Sequence, residues 1–98
     1  MHVAVIHTIT DAQKWNENVQ KIMAIIEEGR LPEGLNVQMY LPAADGQKGV
    51  CLWEAGSTDA LKNFLDREIG SAASNEYIAI NADGAIGLPG QAAPQATA

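Results

Sequence analysis

At 98 residues the chain has room for one domain, and its 47% hydrophobic and 18% charged residues suit a globular core, not a disordered polymer. A formal charge of -6, with six scattered basic residues, provides no stripe for a phosphate backbone, so nucleic acid is not an expected partner. The single cysteine, Cys51, cannot close an internal disulfide, and the apolar run at residues 1–6 is too short to signal or span; a cytoplasmic location with no membrane partner is expected.

Residues 3–8 are short, apolar and largely β-branched, which predicts a strand. Thr10 reads as a helix N-cap, with Gln13 completing a capping box. Ala12, Trp15, Val19, Ile22 and Ile26 follow at spacings of three and four and form one apolar stripe; Gly29 and Pro32 end it. Residues 35–41 then alternate with a period of two, Asp45-Gly46 marks a hairpin, and residues 49–55 return as its second strand. Ser57 or Thr58 caps a second helix carrying Leu61, Phe64, Leu65 and Ile69, ended by Gly70. Residues 71–75 read as a loop and 76–81 as a fourth strand. After Gly87, glycine, proline and small residues offer almost nothing to bury, so a domain over 1–86 and a flexible tail over 87–98 are expected.

The order βαββαβ is the ferredoxin-like pattern of the α+β class. Connection rules give a four-stranded antiparallel sheet in the order 4-1-3-2 with both helices on one face. Its other face lies bare, and a second copy packed sheet to sheet is the expected cover, forming a dimeric α/β barrel.

A turn at Asp45-Gly46 sets Leu41 opposite Val50, Met39 opposite Leu52, Tyr40 opposite Cys51 and Gln38 opposite Trp53. The wholly apolar set, with Ile78 and Ile80, suits packing under the helices. Gln38, Tyr40, Cys51, Trp53 and Tyr77 would then share the bare face, with His7 leaning the same way, as a polar and aromatic lining for a small organic ligand. His7 could serve there as a general base, and Trp53 or Tyr40 as a platform for a planar substrate. Cys51 could be a nucleophile, but no cationic neighbour is evident in the sequence; a small buried hydrophobe is the plainer reading. No Cys-x-x-Cys, paired histidines at helical spacing or carboxylate cluster suggests a metal, and no nucleotide or cofactor fingerprint is present. Trp15, on the helix stripe, reads as core.

The segments Leu31-Pro32-Glu33-Gly34-Leu35, Ala44-Asp45-Gly46 and Val50-Cys51-Leu52-Trp53-Glu54-Ala55 resemble short bacterial proteins of unknown function in the dimeric α/β-barrel superfamily. The resemblance extends in element order over about residues 1–82. It implies a ferredoxin-like homodimer. Relatives there include cofactor-free monooxygenases, muconolactone isomerases, haem-degrading enzymes and a nickel-binding group. Trp53 and Tyr40 are similar in type to cavity residues of the cofactor-free monooxygenases. The haem-degrading members use a helical histidine, and here no histidine follows His7. The expected function is binding of a small, partly apolar molecule in a sheet-lined cavity by a homodimer. The alternatives are a cofactor-independent monooxygenase or isomerase with His7 as base, and a purely structural dimer.

Overall fold

The computed structural model describes residues 1–89, so most of the expected tail, from residue 90 onward, lies outside the described residues. The elements run β1 (His2–Ile9), α1 (Ala12–Glu27), β2 (Asn36–Pro42), β3 (Lys48–Glu54), α2 (Thr58–Ile69) and β4 (Ala73–Ala79). The strands form one antiparallel sheet in the order β2-β3-β1-β4, consistent with the ferredoxin-like fold. No helix among the described residues is long and apolar enough to cross a membrane.

Each helix starts on a side chain that accepts a free backbone N–H. In α1 that residue is Asp11, which accepts from the amide of Lys14 at 3.1 Å, and not Thr10. The Thr10 hydroxyl is instead engaged with the carbonyl of Ser71 at 2.9 Å, tying the β1–α1 corner to the segment before β4. Ser57 caps α2 through the amide of Ala60. The hairpin keeps the expected register, with Leu41 opposite Val50, Met39 opposite Leu52 and Tyr40 opposite Cys51. Its loop is longer than a two-residue turn. The amide of Ala43 donates to the carbonyl of Lys48 at 2.8 Å, and Gly46, at φ 73°, supplies the left-handed residue beyond it. A bulge at Gln38 then puts Val37, not Gln38, opposite Trp53. The fourth strand begins three residues earlier than expected, because residues 73–75 pair with β1.

The phase of the sheet is opposite to the sequence expectation. Val3, Val5 and His7 of β1, with Cys51 and Trp53 of β3, are buried beneath the helices. Val50 and Leu52, which expectation placed there, share the uncovered face with Ala4, Ile6, Met39, Leu41 and Ile78. The crossover rule fixes which side of the sheet the helices cover; it does not fix which alternate residues point there. Both sets carry large apolar groups, and volume decides. Trp53 fills the space under α2, 6.0 Å from Phe64 between ring centroids, and burying an indole removes more surface from water than burying Val50 or Leu52.

Candidate functional site

Between α1 and the β2–β3 half of the sheet lies a cavity of about 210 Å³. The helix contributes Trp15, Val19 and Ile22 from its apolar stripe. The strands contribute His7, Gln38, Tyr40, Cys51 and Trp53. Met23 and Tyr40 also line it while being more than a third exposed, and so form its mouth. Five of the six expected ligand residues therefore come together, but under the helices and not on the bare face. Tyr77 does not join them. It also lies on the helix side, where its hydroxyl donates to Asp66 Oδ1 at 3.4 Å, and burial with the nearby carboxylate pushes it up to about 12. His7, at 1% exposure, is a buried group on the covered side. That removes the arrangement in which it acts as base between two facing sheets.

Local backbone features hold the polar groups. His7 stands opposite Gly49 on one neighbour strand and Asn75 on the other. The Tyr40 ring crosses β3 above Gly49, where an added Cβ would lie 2.8 Å from Tyr40 Cε1, so only glycine allows that crossing. Trp15 leans over His7 with ring centroids 4.9 Å apart, and Tyr40 lies 6.4 Å beyond Trp15.

Three side chains form a hydrogen-bonded series. His7 Nδ1 is 2.6 Å from Asn75 Oδ1, and His7 Nε2 is 3.1 Å from Cys51 Sγ. An amide oxygen can only accept, so Nδ1 carries the imidazole proton and Nε2 accepts from the thiol. Burial pushes the His7 pKa below its ordinary value, with the Asn75 bond partly offsetting this. Burial likewise raises the Cys51 thiol to about 11, and the Trp53 indole pulls weakly the other way. The resting pair is therefore neutral, thiol against imidazole. The Trp53 indole N–H is buried and has no hydrogen-bond partner; it lies near enough to favour charge on the sulfur without reaching bonding geometry. Among the described residues, no three His, Cys, Asp or Glu side chains gather as a metal-ligand set.

The sequence reading missed two members of this site. Asn75 falls in the segment that reads as a loop, and its role follows from pairing with His7 in a β4 that begins at Ala73. Trp15 reads as core from its helix stripe; it is core, and it is also one wall of the cavity. Comparison of the chain with protein-family models, with curated proteins and with solved structures finds no match. The residues of the site offer an apolar chamber with one neutral acceptor–donor pair and an aromatic wall.

Proposed function

We propose that this chain binds a small, partly apolar organic molecule in the cavity beneath α1. The observation that carries this reading is an apolar chamber of about 210 Å³ between α1 and the sheet, walled by Trp15 and Trp53 and open past Met23 and Tyr40. An apolar cavity of roughly 150 Å³ is enough for benzene, so this one suits a molecule of about ten non-hydrogen atoms.

The protein acts in this reading as a homodimer joined through its uncovered sheet face, in the manner of the dimeric α/β barrels. Met39, Leu41, Val50 and Ile78 support that arrangement, since they leave a contiguous apolar surface with exposures of 39–56%. The free thiol of Cys51 favours the cytoplasm.

Trp15 and Trp53 are the only tryptophans and both line the cavity, so intrinsic fluorescence reports on it directly. Titration with phenyl-substituted three-carbon alcohols and acids should give saturable quenching and a raised melting temperature. Val19→Phe, which fills the chamber from a half-buried helix position, should abolish both while the protein stays folded. Quenching that Val19→Phe leaves unchanged, or no response to any compound of this size, overturns the reading.

A further inference from the structure

The series Asn75–His7–Cys51 exceeds what binding requires. A thiol that donates to a bare imidazole nitrogen, whose other nitrogen is fixed by an amide oxygen, is the geometry of a nucleophile with its base and an orienting group. The Trp53 indole N–H, on a side chain only 2% exposed and without a hydrogen-bond partner, lies close enough to the sulfur to favour its charged form. A merely structural cysteine needs none of these.

From this geometry we infer that Cys51 captures α,β-unsaturated carbonyl compounds covalently in the cavity, with His7 as its general base and Asn75 as a positioning residue. The inference rests on the cavity being a ligand site, and it names the ligand class. In the step, Cys51 Sγ forms a bond to the β-carbon of the enal or enone while its proton passes to His7 Nε2. The C=C electron pair moves toward the carbonyl as an enolate. The imidazolium then returns the proton to the α-carbon, leaving a saturated thioether. Nothing is oxidised or reduced, and nothing departs.

The absence of a leaving group is what selects this reaction over acyl transfer. The cavity is lined by no carboxylate, ammonium or guanidinium; its titratable groups are His7, Tyr40 and Cys51, and Trp15 and Asn75 complete the surroundings of His7. A neutral addition product suits such walls. An acyl-enzyme would need water and an expelled polar group in an apolar chamber.

The test uses the full chain with trans-cinnamaldehyde, and with 3-phenylpropanol as a saturated companion that binds without reacting. Intact-mass measurement should show one adduct per chain on Cys51, absent in Cys51→Ala. The labelling rate should stay level from pH 7 to 9, because His7 is already neutral there and supplies the base. An unassisted thiol would instead gain about tenfold per pH unit as its thiolate fraction grows. His7→Gln should label roughly 10²-fold more slowly, the usual size of a base contribution, and regain the steep pH dependence. Asn75→Ala should slow labelling less than His7→Gln does and give a pH dependence shallower than that variant's. Should His7→Gln fail to fold, the wild-type pH profile alone decides. Alcohol binding without an adduct, or a tenfold rise per pH unit in the wild type, overturns the role of the thiol only. Failure of the alcohol to bind overturns the cavity reading itself.

Discussion

The two faces of this sheet are built from similar residues and live in different surroundings. The covered face carries Val3, Val5, His7, Cys51 and Trp53; the uncovered one carries Ala4, Ile6, Val50, Leu52 and Ile78. By hydrophobicity alone the second set is the better core. What distinguishes the faces is shape and hydrogen bonding. The covered face holds the indole that fills the space under α2 and a histidine with a partner for each ring nitrogen. A polar residue becomes a core residue when its hydrogen bonds are complete.

Mutations on the two faces should separate sharply. Trp53→Ala should lose about 3–5 kcal/mol in urea unfolding, the range for removing a buried large aromatic. Replacing His7 with Leu should lose about 1–3 kcal/mol, since it leaves Asn75 Oδ1 and the Cys51 thiol without their partner.

The same groups set a pH window. His7 resists protonation when folded, so the unfolded chain binds the extra proton first; stability is full above pH 6.5 and falls as the pH drops below it. At the alkaline end, the unfolded Cys51 thiol ionises from 9.0 while the folded one holds its proton to about 11, so stability declines as the pH rises through that interval. Thermal melts of wild type and His7→Leu across pH 5–10 should show the acid limb only in the wild type.

Gly49→Ala should cost about 1 kcal/mol, because the added methyl must push the Tyr40 ring aside, and it should loosen ligand binding by altering the cavity mouth. Smallest in stability are substitutions on the bare face. Leu41→Ser and Val50→Thr should stay within about 0.5 kcal/mol in dilute protein, while shifting the sedimentation profile toward a single subunit. If they cost as much as Trp53→Ala without any partner present, the contrast between the faces fails.

How much of this was legible in the sequence depends on the kind of signal. Element order, the hairpin register and the α1 stripe were readable, since each follows from local spacing: Leu41 meets Val50 because the turn counts residues. The six-residue set was legible as a cluster except for Tyr77, because His7, Tyr40, Cys51 and Trp53 share a face whichever way that face points. The bulge at Gln38 and the early start of β4 were not readable, and Asn75 was lost with the latter. Both depend on β1 and β3 offering edges for pairing, which no local pattern records.

The sequence alone determined a βαββαβ chain with one amphipathic stripe per helix and two alternating residue sets per strand, because periodicity is a property of the backbone. Only the tertiary structure decided which set the helices cover. That choice depends on how the volumes of Trp15, Trp53 and Phe64 fit together across elements far apart in sequence. It is this packing that brings Cys51, His7 and Asn75 from three strands into one buried series.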